Sequence, residues 1–143
     1  MVQALYTAEA VARGEGRDGE VTSSDGIIDE TLTTPKELGG PGGEHTNPEQ
    51  LFAAGYAACF HSALKAAARQ LKTDPGDSQV TARVGIGKND LGKFELTVEL
   101  EARLSGMEQG KADELVAEAH QLCPYSSATR GNIEVKVTAT TTD

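Results

Sequence analysis

The feature that most constrains the fold is a long helical run that carries almost no charge and has a well-marked start. Asn47 is a good N-cap, Pro48 fits the first helical position, and Glu49 suits the positive end of the helix dipole. Residues 51–60 are apolar on every side, which is typical of a helix surrounded by protein, so we expect burial on all sides. Gly55 and the neighbouring alanines favour a close crossing by a second helix or packing across a two-fold axis.

The rest of the chain shows strand and helix patterns. Residues 5–32 predict a small antiparallel meander, and the glycine- and proline-rich residues 33–46 predict an irregular loop. The other predicted elements are strands at about 79–87, 93–104 and 133–140, and a helix at about 108–122. The residues expected to face the core are Phe94, Leu96, Val98 and Leu100 of the second strand, and Ala112, Leu115, Val116, Ala119, Leu122 and Cys123 of the helix. We find no internal repeat and predict a single α+β domain over residues 1–143.

The charge balance excludes several classes of partner. The chain has 13 basic and 22 acidic residues, a net charge of −9 and a pI of about 4.8. Such a surface repels nucleic acid and anionic lipid, and it lacks the basic helix of a DNA-binding peroxide sensor. Neither a secretion signal nor a membrane span is evident, so a cytoplasmic location is expected.

The chain has only two cysteines, and both lie where a plain hydrophobe would pack well. Cys59 is in the uncharged helical run and Cys123 is on the apolar face of the later helix. They are either inert core residues or a redox pair that the fold brings together, and a reducing compartment moderately favours the second interpretation.

The two thiols are predicted to be chemically unequal. Cys59 lies about 18 Å along the helix from Asn47, too far for the helix dipole to stabilise a thiolate, so an outside cation is needed. Cys123 sits near a helix C-terminus, where partial negative charge disfavours a thiolate. Cys59 is therefore the better first nucleophile.

A set of short motifs along nearly the whole chain is the most specific signal. They are Tyr6-Thr7-Ala8, Gly16-Arg17-Asp18-Gly19, Pro35-Lys36-Glu37-Leu38-Gly39-Gly40, Asn47-Pro48-Glu49-Gln50-Leu51-Phe52-Ala53, Ala58-Cys59-Phe60 and Cys123-Pro124-Tyr125-Ser126. Taken together, they resemble the organic hydroperoxide resistance (Ohr) family of the OsmC-like superfamily. The resemblance implies an OsmC/Ohr-like α+β fold with antiparallel sheets around long central helices, in an intertwined homodimer.

The resemblance also implies an antioxidant enzyme of the oxidative stress response. In this cysteine-based peroxidase, Cys59 would reduce an organic hydroperoxide and become a sulfenic acid, and Cys123 would then close a disulfide. A lipoyl dithiol, either dihydrolipoamide or a lipoylated protein, would reduce that disulfide. No metal or bound cofactor is implied, and His45, His61 and His120 have no tight metal-ligand spacing.

Arg17 matches the arginine of the family and would activate Cys59, with Glu49 orienting the guanidinium. Without the resemblance, Arg17 would be taken for a solvated turn residue and Glu49 for a first-turn helix acid. Glu49 and Cys59 are separated by about 15 Å along one helix and by about 80° around it, which is difficult for one arginine to bridge. Either the helix breaks after Gln50, or Arg17 and Glu49 come from the partner subunit.

Four apolar side chains of the first helix are candidates for the substrate pocket: Leu51, Phe52, Tyr56 and Phe60. An apolar pocket lining favours alkyl or fatty-acid hydroperoxides over hydrogen peroxide, because burial of an apolar substrate is favourable in free energy. The alternative function is a redox-silent module that binds a lipid-like ligand and keeps both cysteines as core packing.

Overall fold

The computed structural model describes residues 1–142 and confirms the α+β class. The chain divides into two compact units, Met1–Leu51 and Phe52–Asp143. This division does not test the single domain expected from the sequence, which stays a prediction. The helix predicted around Cys59 begins in the first unit and continues in the second.

The first unit contains a three-stranded antiparallel meander, as predicted. Its strands are β1 (Ala10–Arg13), β2 (Glu20–Ser23) and β3 (Asp29–Thr31). A 3₁₀ turn at Gly16–Asp18 links β1 to β2, and a second one at Lys36–Leu38 interrupts the predicted irregular loop.

Helix α1 spans Pro48–Gln70 and begins as its capping residues predict. The side-chain Oδ1 of Asn47 accepts a hydrogen bond of 2.8 Å from the amide of Gln50, which satisfies one of the free donors of the first turn. The helix ends after Gln70, and Lys72 takes the left-handed conformation that often follows a helix C-terminus. It is continuous through Gln50, so a helix break there, the first of the two expected alternatives, is wrong.

The expected burial of α1 on all sides is also wrong for the single chain. Tyr56 and Phe60 are fully buried, but Ala54 and Ala58 are exposed on another face. The apolar run therefore covers the core with its large side chains and leaves its small ones uncovered. At Gly55 the neighbour is the phenol ring of Tyr125, since a Cβ added there would lie 3.0 Å from the Tyr125 hydroxyl.

The second sheet has the order β4–β5–β6. The predicted hairpin is confirmed as the antiparallel strands β4 (Ser78–Lys88) and β5 (Phe94–Ser105). Strand β6 (Glu134–Thr142) pairs parallel with β5, so this sheet is mixed and not purely antiparallel as expected. A parallel pair needs a crossover connection, which here contains the helices that follow β5.

The crossover contains two helices, of which one was predicted. Helix α2 covers Gln109–Leu122, and the short α3 covers Pro124–Thr129. Cys123 between them has an extended backbone, as expected for a residue before proline.

The core of the second unit lies where α1, α2 and the β4–β5–β6 sheet bury their apolar side chains. Two residues expected in it are exposed. Phe94 is 61% exposed at the end of the hairpin, where the Lys88 ammonium lies 5.6 Å from its ring centre, and Leu122 is 37% exposed at the end of α2. The alternation of a strand and the period of a helix continue to the end of the element, whereas the buried core stops before that end.

Candidate active site

The two cysteines meet in the second unit although 64 positions separate them in the chain. The Cys123 thiol donates a hydrogen bond to Cys59 with its Sγ atom 3.5 Å from that of Cys59. Cys123 is fully buried and Cys59 is partly exposed. A disulfide has an S–S length of about 2.05 Å, so the thiols are free but adjacent. The fold thus makes a disulfide between them accessible with a short movement.

The surroundings of Cys59 disfavour its thiolate. Burial is the largest cause and raises the pKa of the Cys59 thiol above its ordinary value. A hydrogen bond from the backbone amide of Tyr125 acts in the opposite direction, while the neighbouring Cys123 thiol raises the pKa further. The thiol therefore needs a positive charge to become a good nucleophile at neutral pH.

Cys123 occupies a corner between two helices, because Pro124 ends α2 and opens α3. Its backbone amide still bonds to the carbonyl of Ala119, and its own carbonyl accepts a bond of 3.0 Å from the amide of Ser127. Both helices thus hold the corner in place. The short helix α3 was not predicted, although a proline directly after an apolar helix is a signal for such a restart.

Arg17 and Glu49, both in the first unit, form a bidentate ion pair. The two guanidinium nitrogens donate to the two carboxylate oxygens at 2.9 and 2.6 Å. The Arg17 side chain is 38% exposed and that of Glu49 only 11%. This hydrogen bonding is the main cause that lowers the pKa of Glu49 and raises that of Arg17, so both groups are charged at neutral pH.

The turn that carries Arg17 is anchored by its neighbour Asp18, a residue to which the sequence analysis gave no role. The Asp18 carboxylate accepts 2.8 and 3.0 Å hydrogen bonds from the amide and the hydroxyl of Thr34. The backbone of Arg17 is thus held by the anchored turn, and its guanidinium is held by Glu49. The aspartate of the Gly-Arg-Asp-Gly turn was the available signal, since aspartate often caps backbone amides in turns.

The four residues predicted to line the pocket differ in burial. Tyr56 and Phe60 are fully buried, whereas Leu51 and Phe52 are partly exposed. Within the second unit, the rings of Phe52, Tyr56 and Tyr125 form an aromatic cluster with ring-centre distances of 5.6 to 6.1 Å. Tyr125 was not assigned to this group from the sequence. Whether these side chains bind a substrate stays a prediction.

His61 and His120 have different surroundings. His61 shares a 2.9 Å hydrogen bond with the hydroxyl of Ser78, and burial lowers its pKa. Burial also lowers the pKa of His120, with a further contribution from Arg130. Within residues 1–142, no group of three or more histidine, cysteine or acidic side chains is arranged to hold a metal ion. In that same range, no helix is long and apolar enough to cross a membrane.

Comparison with known proteins places the chain in a family. Residues 40–138 match the family model of the OsmC-like proteins. An organic hydroperoxide resistance protein of Xanthomonas axonopodis pv. citri is 55% identical over 135 residues, which cover 94% of each protein.

Solved structures agree with the sequence relatives. The crystal structure of an organic hydroperoxide resistance protein from Elizabethkingia anophelis has a TM-score of 0.92 at 48% identity, covering 99% of this chain and 100% of the other. That of OhrB of Bacillus subtilis has a TM-score of 0.86 at 44% identity, covering 96% of this chain and 100% of the other. Matches of this extent and identity, along almost the full length, show a shared family as well as a shared fold. The chain belongs to the OsmC-like family and, within it, to the organic hydroperoxide resistance proteins.

Proposed function

We propose that this protein is a thiol-dependent peroxidase that reduces organic hydroperoxides to alcohols. The observation that carries the proposal is the 3.5 Å contact between the Sγ atoms of Cys59 and Cys123. A partly exposed thiol next to a buried one supplies a first nucleophile and a resolving partner. The names of the relatives support an organic hydroperoxide as the substrate.

The proposed cycle balances in three steps. The Cys59 thiolate attacks the distal oxygen of the hydroperoxide, the O–O bond breaks, and the alkoxide leaves and is protonated to the alcohol. Cys59 is then a sulfenic acid, which Cys123 attacks with loss of water to form a disulfide. A dithiol reduces that disulfide with two electrons and two protons and is itself oxidised to a cyclic disulfide.

The second part of the proposal is that Arg17 activates Cys59. Burial raises the pKa of the Cys59 thiol, so an activating cation has to offset that effect. Arginine is suited to this because it stays charged at any relevant pH, and Glu49 holds its guanidinium in a fixed orientation. Since α1 is continuous from Pro48 to Gln70, we propose the second alternative, in which the partner subunit supplies Arg17 and Glu49.

The substrate and the reductant are proposed on chemical grounds. The apolar side chains at the start of α1 and the aromatic cluster of Phe52, Tyr56 and Tyr125 favour alkyl or fatty-acid hydroperoxides. Full burial of Cys123 leaves Cys59 as the sulfur that a reductant can attack. A slender dithiol, such as a lipoyl group, reaches a half-buried sulfur more easily than a broad protein surface does. No bound cofactor is required by this cycle.

A homodimer is proposed because two faces of the single chain lack cover. All residues of β1 and β3 are exposed, and Tyr6 and Ile27 remain 80% and 83% exposed. A three-stranded sheet needs an apolar face buried against another element to be stable. On α1, Ala54 and Ala58 form a second uncovered, smooth surface. A second copy of the chain would cover such faces by symmetric packing.

The decisive experiment measures turnover of a lipid hydroperoxide and of hydrogen peroxide, with dihydrolipoamide or thioredoxin as the electron source. Wild type should prefer the lipid hydroperoxide and dihydrolipoamide. Cys59→Ser should lose all turnover, because the first nucleophile is gone, and Cys123→Ser should accumulate a sulfenic acid at Cys59 after one equivalent of substrate. Equal activity in wild type and both variants would contradict the enzyme and favour the redox-silent ligand-binding module.

A further inference from the structure

A group of three buried hydroxyls lies beside the thiol pair in the second unit. The Tyr56 hydroxyl is 2.8 Å from the Ser126 hydroxyl and 3.1 Å from that of Thr129. Tyr56 and Ser126 are fully buried, and Thr129 is 7% exposed. We call these three residues the hydroxyl clamp.

Along the chain, the hydroxyl clamp lies close to both thiols. Tyr56 precedes Cys59 by three residues on α1, and Ser126 follows Cys123 by three residues. Residues three apart on a helix share a face, so Tyr56 and Cys59 point to the same side of α1. The two hydrogen bonds of the clamp therefore tie α1 to α3 one turn away from the thiol contact.

Core packing alone does not require these hydroxyls. Phenylalanine at position 56 would keep the ring contacts with Phe52 and Tyr125, at centre distances of 6.1 and 5.6 Å. A buried hydroxyl costs free energy to desolvate, and its hydrogen bonds return that cost only when a partner is correctly placed. What the clamp adds is a fixed distance between two helices.

We propose that Tyr56 and Ser126 are positioning residues that hold Cys123 against Cys59 and thereby control disulfide closure. This inference rests on the proposed peroxidase cycle and adds to it which residues govern its second step. The attack on the hydroperoxide does not involve the Cys123 sulfur, so the Ser126 bond of the clamp is expected to act on closure and not on that first step.

The closure step explains why position matters. The Cys123 thiol loses its proton and its sulfur attacks the Cys59 sulfur, so an S–S bond forms while the S–O bond breaks. The oxygen leaves as hydroxide and takes up the proton, which gives water. The sulfurs must approach from 3.5 Å to about 2.05 Å, and a pair that is already aligned gains a large effective concentration.

The first test compares two steps in stopped-flow experiments with cumene hydroperoxide. Ser126→Ala and Tyr56→Phe each remove one hydroxyl of the clamp. Ser127→Ala is the matched control, because Ser127 is an exposed residue of the same short helix. We expect closure, followed with a sulfenic-acid trapping reagent, to slow by about tenfold in both clamp variants. The rate constant for the first attack should stay within about twofold of wild type in Ser126→Ala, and Ser127→Ala should match wild type in both steps.

The second test needs no peroxide and measures the dithiol–disulfide equilibrium of Cys59 and Cys123 in glutathione buffers. Loosening the thiol pair makes disulfide formation entropically more costly, so its equilibrium constant should fall by about tenfold, equivalent to about 30 mV toward a more oxidising potential. If folded Ser126→Ala and Tyr56→Phe both have the wild-type reduction potential and closure rate, the proposed role of the clamp is wrong.

A double variant separates positioning from stability. Tyr56→Phe with Ser126→Ala leaves no orphan hydroxyl, because Thr129 still donates to the carbonyls of Tyr125 and Ser126 at 3.0 and 3.3 Å. Stability should therefore recover relative to Tyr56→Phe, which leaves the Ser126 hydroxyl without its partner, while closure stays slow. Recovery of closure together with stability would reduce the clamp to a structural role. Failure of the proposed function is a different result, namely a wild type that does not consume organic hydroperoxides.

Discussion

At the scale of single residues, the ion pairs of the arginines differ in how far they are buried. Arg17 and Glu49 form a bidentate pair in which the carboxylate is nearly buried. Arg83 pairs with Glu99 and Glu101 on exposed strands, where water screens the attraction. The first pair is therefore expected to contribute to both stability and chemistry, whereas the second contributes little to either.

The Arg17–Glu49 pair makes stability depend on pH in a defined direction. Because the pKa of Glu49 is lowered in the folded chain, its contribution is complete above the unfolded pKa of about 4.3 and is lost as the pH falls through the folded value. Urea denaturation should show wild type more stable than Glu49→Gln by about 1 kcal/mol at pH 7, with the difference shrinking below about pH 4. A difference independent of pH would contradict this linkage. Glu99→Gln is the control and should be almost neutral.

The activating role of Arg17 can be tested by the pH dependence of the reaction with hydroperoxide. An opposite charge at close range lowers a thiol pKa by roughly one to three units, so Arg17→Ala should move the pH profile up by that amount. At pH 7 the rate should fall at least about tenfold. Arg17→Lys keeps the charge but not the bidentate geometry, so its rate at pH 7 should lie between those of wild type and Arg17→Ala. Arg13→Ala, an exposed arginine of β1, is the control, and an unchanged profile in Arg17→Ala would rule out the role.

At the scale of elements, the glycines differ in how closely the rest of the backbone approaches them. Gly19 follows the 3₁₀ turn that carries Arg17 and lies directly against the carbonyl oxygen of Arg13, which a Cβ would overlap. Gly110 in the first turn of α2 has only ordinary contact around it. The same substitution should therefore have opposite effects at the two glycines.

Alanine substitution tests this difference. Gly19→Ala should lower the free energy of unfolding by about 1–3 kcal/mol, because the atoms that must give way are backbone. Gly110→Ala should raise it by about 0.5–1 kcal/mol through helix propensity. Both are measured by urea denaturation with circular dichroism. A Gly19→Ala protein as stable as wild type would mean that the turn can move away from Arg13.

At the scale of the whole molecule, the central question is whether two chains build one site. Sedimentation should give a dimer if a second copy covers β1, β3 and the Ala54–Ala58 face of α1. Residues from both chains in one site would make the catalytic unit inseparable from the assembly, so dilution should reduce activity together with the dimer fraction.

Mixing two variants that each lack one residue of the proposed site tests this directly. In a refolded equal mixture of Arg17→Ala and Cys59→Ser, half of the dimers pair the two variants. If the partner supplies Arg17, each such dimer regains one site, so about a quarter of the wild-type activity should return. If Arg17 acts within its own chain, no site is complete and the mixture keeps only the residual activity of Arg17→Ala. Refolded unmixed variants are the controls.

Some features of the fold and the site were predictable because they depend on neighbours in the chain. Asn47 and Pro48 start α1 through hydrogen bonds and backbone angles within one turn. Alternation predicted the hairpin for a similar reason, since successive side chains of a strand point to opposite faces. Phe94 was misplaced because alternation says which face a residue is on and not where the core stops.

The sequence by itself therefore determined most of the elements, the start of α1, the family motifs and the candidate reactive side chains. Only the tertiary structure decided that Cys59 and Cys123 touch, that β6 runs parallel to β5, and that Tyr56 bonds to Ser126. The physical reason is distance along the chain. Helix caps and periodicity come from interactions over a few residues, whereas contacts across 64 or 70 positions form only when the whole core packs and its buried polar groups find partners.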